Sequence, residues 1–212
     1  MFYGLGNILG AGIYILVGKV VGVAGIYAPI SFIIASLLAT FTAFSYAELS
    51  SRYPLSAGES EYIQHGFNRK TLSLVVGLLI ILAGALSSAA IIRGFTGYLD
   101  VFVEIPGNLT IAVLVLILGG IAAWGINQSV RTAAILTVIE IIGLSIILWV
   151  GGGAFAELPA RITELVPGMD WGVWYGIFFG GLLAFYAYIG FEDMVNIAEE
   201  VKNPSRNMPV LS

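Results

Sequence analysis

The stretch that decides the fold is Gly6–Ile15, "GNILGAGIYI". It lies in an apolar segment, residues 2–23, that is long enough to cross a membrane, since a transmembrane helix takes about 20 mostly apolar residues. Yet it carries Gly6, Gly10 and Gly12, with Gly4 just before, and glycine is among the poorest helix formers. Two readings are open. The glycines can let a neighbouring helix approach closely, as the spacing Gly18-x-x-x-Gly22 also would. Alternatively, the helix breaks inside the membrane. Its unpaired N–H and C=O groups then cost several kcal/mol each unless they line a polar cavity. In such a cavity, N–H groups at a helix start suit a carboxylate and freed carbonyls suit an ammonium.

Composition sets the solvent. Of 212 residues, 58% are hydrophobic and 10% charged, and the mean hydropathy is +0.96. A soluble domain carries about 25% charged residues, so a chain this poor in charge belongs in lipid. The net charge of -4 is spread over a few loops, and no basic cluster suits nucleic acid. With no cysteine there is neither a disulfide framework nor a thiolate metal site. The N-terminus lacks a basic leader and a small-residue cleavage site, so the first apolar segment reads as structure. No phosphate-binding loop, metal-ligand cluster or serine nucleophile motif occurs. An enzyme is therefore not expected, nor any cofactor.

Hydropathy predicts a single all-α membrane domain over 1–212 with about six spans, at 2–23, 27–49, 72–99, 109–126, 132–150 and 171–201. Residues 50–70 form a polar loop, "NQSVR" (127–131) reads as a short loop, and 151–170 form another. Arg52, Arg69, Lys70, Arg131, Lys202 and Arg206 fall on one side of this map, whereas Arg161 is the sole loop cation on the other. The excess of basic residues places the 50–70 loop and the N-terminus in the cytoplasm and the 151–170 loop outside. Trp149, Trp171 and Trp174 lie near the outer boundary, as interfacial aromatics do. Lys19 and Arg93 lie towards the same face and read as snorkelling side chains. His65, the single histidine, reads as solvated surface.

The sixth segment repeats the signal of the first. "FFGGLLAFYAYIGFEDMVNIAEE" (178–200) starts as a strongly apolar helix, then places Gly190, Glu192 and Asp193 where lipid should still surround it. Adjacent carboxylates at that depth call for a cavity or partners, and a break near Tyr188–Gly190 would supply the cavity. Solvation near the cytoplasmic end is the other reading, above all for Asp193. Interrupted helices at matching positions of two repeats point to a transporter binding site. Glu140, inside "ILTVIEIIGLSIIL" (135–148), is a third intramembrane ionisable group. It can hold a proton or form a structural hydrogen bond to a neighbouring helix.

Three motifs in order carry a resemblance over the whole chain: "GNILGAGIYIL" (6–16), "YAELSSRYPLSAGESEYI" (46–63) and "FYAYIGFEDMVNIAEEVKNPSRNMP" (185–209). Together they resemble the amino-terminal half of the amino acid–polyamine–organocation permeases. That resemblance implies the leucine-transporter-type inverted-repeat fold, present in part, with the first and sixth helices discontinuous. It implies a secondary amino acid transporter working by alternating access at the plasma membrane. The substrate carboxylate would meet backbone N–H groups from Gly10, Ala11, Gly12 and Ile13. The amino group would meet carbonyls of Tyr186, Ala187 and Ile189, with the Tyr186 ring covering the substrate and gating it. Ser88 would offer a side-chain contact, and Glu192 a link to protons or gating. Glu140 stands where one proton-coupled branch has a lysine, which leaves coupling to a proton or to sodium open.

Family members have ten core helices, and this chain supplies about six. The expected partners are therefore an amino acid, the bilayer, and carboxy-terminal helices supplied in cis or in trans. The alternative reading is a non-transporting membrane subunit, or a truncated piece that needs a complementary half.

Overall fold

The computed structural model describes residues 2–190 and 192–201. Among the described residues all regular structure is helical. The elements are α1 (Phe2–Ala11), a π-helical turn (Gly12–Leu16), α2 (Val17–Ala24), α3 (Ala28–Arg52), α4 (Gly58–Phe67), α5 (Lys70–Leu99), α6 (Gly107–Trp124), α7 (Ile126–Gly151), α8 (Leu158–Arg161) and α9 (Trp171–Tyr188). Short 3₁₀ stretches occupy Gly25–Tyr27, Gly152–Ala156, Ile162–Leu165 and Glu192–Glu200.

Among the described residues five helical stretches are long and apolar enough to cross a membrane: Leu5–Arg52, Lys70–Leu99, Gly107–Trp124, Ile126–Ala156 and Trp171–Asn196. The first has 48 residues. Straight, it would extend about 70 Å, more than twice the hydrocarbon thickness. It does not run straight. Gly25 leaves the helix at φ +57, a conformation that strains any residue with a Cβ, and Pro29 then opens α3. Both α2 and α3 pack against α9, so the chain folds back at Gly25. The protein is a multi-pass membrane protein.

Internal contacts divide the chain into two compact units, 1–56 with 134–212, and 57–133. In the first unit Val20, Ala24, Ala28, Ala35 and Ala184 form the buried core, flanked by Phe32, Leu183, Phe185 and Tyr188. These residues are small because the helices nearly touch. A Cβ on Gly176 would stand 3.0 Å from the Val23 carbonyl, and one on Gly180 would stand 2.8 Å from Ser31 Oγ. Ser31 Oγ donates to the Ile177 carbonyl at 2.8 Å. Close backbone approach and interhelical hydrogen bonds replace the hydrophobic effect as the glue between helices in lipid. The outward faces carry exposed large apolar residues such as Phe41, Phe44 and Leu182, as a lipid solvent demands.

The second unit holds α4, α5 and α6. Much of the stretch expected as a polar loop, 50–70, is helical. Glu59 and Glu61 lie in the first turn of α4 and His65 in the last, the arrangement that the helix dipole favours. The helix stops at Asn68, which adopts φ 50 and returns its N–H to the Gln64 carbonyl. His65 is exposed, and its Nε2 lies 2.9 Å from Glu61 Oε1 one turn earlier. "NQSVR" is likewise helix rather than loop, being the first turns of α7. Gly125 at φ +133 makes the whole α6–α7 turn, so no further loop residue is required, and Ser129 Oγ donates to the Gly125 carbonyl.

Candidate functional site

The first unit contains both expected interruptions. At Gly10 the backbone leaves helical geometry (φ -52, ψ -121), and the chain then passes through the π-helical turn Gly12–Leu16 before α2 begins. Such a break takes N–H and C=O groups out of the regular ladder. Ala11 ends α1, and Ile13 is half-buried in the π turn. In the sixth segment α9 ends at Tyr188 and Ile189 is extended (φ -66, ψ 138). Gly190 follows at φ +146, and a 3₁₀ stretch runs over Glu192–Glu200.

The two breaks pack against each other. A Cβ on Gly12 would lie 2.6 Å from the Ala187 carbonyl oxygen and 2.7 Å from its Cα. A Cβ on Gly190 would lie 2.7 Å from the Asn7 carbonyl oxygen and 3.0 Å from the Ile8 nitrogen. Each interruption therefore needs a glycine because the other backbone occupies the space where a side chain would go. The adjacent carboxylates brace this crossing. The Gly190 N–H donates to Glu192 Oε2 at 2.7 Å, and Asn7 Nδ2 donates to Asp193 Oδ2 at 3.4 Å. Further along, Val195 and Ala198 are buried against Tyr46. Ser56 and Glu199 clasp each other, the Ser56 N–H donating to Glu199 Oε1 and the Glu199 N–H to Ser56 Oγ.

α7 is the third wall. Glu140 Oε1 lies 3.5 Å from the Cβ position of Gly10. The Tyr14 hydroxyl, from the π turn, donates to the Glu140 carbonyl at 3.1 Å and stands 3.1 Å from the Cβ position of Gly143. Thr137, one turn earlier and buried, presses its Oγ1 on Gly6. Residues 137, 140 and 143 follow at a spacing of three, so one face of α7 meets the broken helix. Glu140 stands out in the sequence as a charge among apolar residues. Asn7, Tyr14 and Thr137 carried no comparable mark, because a lone polar side chain in a span is common and only its partner reveals its use.

Tyr186 and Ala187 lie in the last turn of α9, Tyr186 exposed and Ala187 buried, and Ile189 is half-buried beyond the helix end. Ser88 lies on α5, in the second unit, with an exposed side chain. Lys202, Arg206 and the rest of "KNPSRNMP" lie outside the described residues. Among the described residues no group of three or more acidic or histidine side chains could hold a metal ion.

Interrupted helices that pack against each other recur in secondary transporters. The amino acid permease family model matches residues 1–211. The chain belongs to the amino acid permease family. That is a family of transporters rather than enzymes, and membership implies the leucine-transporter-type fold, of which this chain is part. Relatives include the vacuolar cationic amino acid transporter 2 of Arabidopsis thaliana, 32% identical over 98% of this chain and 35% of its own length. The branched-chain amino acid permease BcaP of Bacillus subtilis is 30% identical over 97% of this chain and 47% of its own length. The methylthioribose transporter of Bacillus subtilis is 29% identical over 98% of this chain and 48% of its own length. The chain thus spans less than half the length of these curated relatives. No solved structure matches it.

Proposed function

We propose that the chain is the amino-terminal part of a secondary amino acid transporter that works by alternating access. One observation carries this reading: the break at Gly10–Gly12 and the break at Ile189–Gly190 lie against each other in one compact unit. Backbone N–H groups around Gly10, Ala11, Gly12 and Ile13 hold the substrate carboxylate. The carbonyls of Tyr186, Ala187 and Ile189 hold its amino group, and the exposed Tyr186 ring covers it. Glu140 and Glu192 are the candidates for coupling transport to a proton. Remaining helices, in cis or in trans, complete the pathway. The excess of basic residues in one set of loops supports an N-terminus in the cytoplasm of a plasma-membrane protein.

Recognition through the backbone reads what all amino acids share, which fits a family whose relatives are named for cationic and branched-chain substrates. The test is binding of radiolabelled amino acids to the full-length protein. Gly12→Leu and Tyr186→Ala should each weaken binding by tenfold or more, about 1.4 kcal/mol. Unchanged affinity in both variants overturns the site. Preference for a sugar thioether over every amino acid would overturn the substrate class.

A further inference from the structure

The second unit holds a groove between α4 and α5. It encloses about 360 Å³. Its walls meet where Ser60 of α4 sits on Gly77 of α5, the Cβ position of Gly77 lying 3.6 Å from Ser60 Cβ. Ser73 Oγ donates to the Ser60 carbonyl at 2.7 Å, which fixes the angle of the crossing. One end of the groove is polar, lined by Gln64, Lys70 and Ser73. The other end is apolar, lined by Leu74, Leu78 and Ile81, all exposed. From Lys70 to Ile81 the helix rises about 16 Å, close to half the thickness of the hydrocarbon core.

The charge is one-sided. Among the described residues neither Lys70 nor its neighbour Arg69 has an ion-pair partner, whereas Glu61, the acid on the facing helix nearest in sequence to Gln64, is paired with His65. A cation and the neutral amide donor of Gln64 at the mouth, above an apolar track one leaflet deep, match an amphiphile with an anionic head. We propose that this groove binds an anionic phospholipid, its phosphate at Lys70 and Gln64 and the start of one acyl chain along Leu74, Leu78 and Ile81.

The experiment titrates the purified full-length protein in detergent with phosphatidylglycerol, phosphatidylcholine or inorganic phosphate and counts bound molecules by native mass spectrometry. Phosphatidylglycerol should bind in preference to phosphatidylcholine. Lys70→Gln should weaken that binding about fivefold, the effect of one basic residue at an anionic surface, and Lys70→Arg should retain it. Leu78→Trp, which fills the apolar track without touching the charge, should also displace the lipid. Equal binding of the two lipids, an unchanged Lys70→Gln variant, or inorganic phosphate binding as tightly as the lipid would each overturn the proposal. So would absence of any bound lipid, since the groove would then be filled by another part of the full-length protein.

Discussion

The carbonyl oxygen of Ala187 stands 2.6 Å from the point where a Cβ on Gly12 would lie. No side chain fits there, and both partners are backbone, so neither can rotate away. Gly12→Ala should therefore force the first and sixth segments apart. The expected cost is about 1–3 kcal/mol of stability, read as a lowered melting temperature in detergent, together with loss of substrate binding. Gly18→Ala is the control, because its Cβ meets nothing within 4 Å. It should leave both readouts unchanged.

Gly190 carries two constraints at once. Its φ of +146 excludes side chains, and Asn7 fills the adjacent space. Gly190→Ala should cost about 1–3 kcal/mol in backbone strain alone. Glu192→Ala removes the acceptor for the Gly190 N–H and should be milder in stability. Thermal unfolding of the two variants side by side checks the order; a milder Gly190→Ala would contradict it.

Glu140 and Glu192 both border the crossing, through Gly10 and Gly190 respectively. If either carries the coupled proton, its glutamine variant should flatten the pH dependence of uptake by the full-length protein while leaving substrate binding measurable. Identical pH profiles in wild type, Glu140→Gln and Glu192→Gln would remove both from the coupling step.

Ser31 donates to the Ile177 carbonyl across the tightest helix pair of the first unit. Ser31→Ala should cost about 0.6–1.7 kcal/mol, the range for interhelical hydrogen bonds in membranes. Gly180→Leu should cost far more, because a Cβ there already meets Ser31 Oγ at 2.8 Å and Ala24 Cβ at 3.0 Å. Unfolding in mixed micelles measures both.

Tyr62, on α4 outside the membrane-spanning helices, has its phenol pushed up to about 12 from an ordinary value of 10.0, by burial first and then by the charge of Glu59. The raised value favours the neutral phenol in the folded protein. Its contribution to stability is therefore complete below pH about 10 and is lost as the pH rises through about 12. Phenolate absorbance, taken as the difference between wild type and Tyr62→Phe, should show this late-titrating group. Titration at the ordinary tyrosine value would contradict the burial.

Hydropathy marked the long apolar segments that the structure forms as helices, because a span must satisfy its own backbone and announces itself by length and composition. It was weaker where a single residue or a local pair ends or begins a helix. Gly125 makes a turn for which the sequence suggested a loop, and Asn68 closes a helix, α4, hidden inside a polar stretch.

The sequence by itself determined that the chain lives in lipid, that its first and sixth segments contain weak helix formers, and that Glu140, Glu192 and Asp193 stand in or beside long apolar runs. These are properties of composition and order, which need no neighbour to be read. Only the tertiary structure decided what the glycines are for. Gly12 and Gly190 are required by Ala187 and Asn7, residues more than 170 positions away in the chain in each case. The packing reading of "GNILGAGIYI" holds in detail: Gly12 admits the backbone of the other break, while Gly6 and Gly10 face Thr137 and Glu140 of α7. A steric demand made by a distant segment leaves no local trace beyond the glycine itself, which is why the pairing had to be seen in three dimensions.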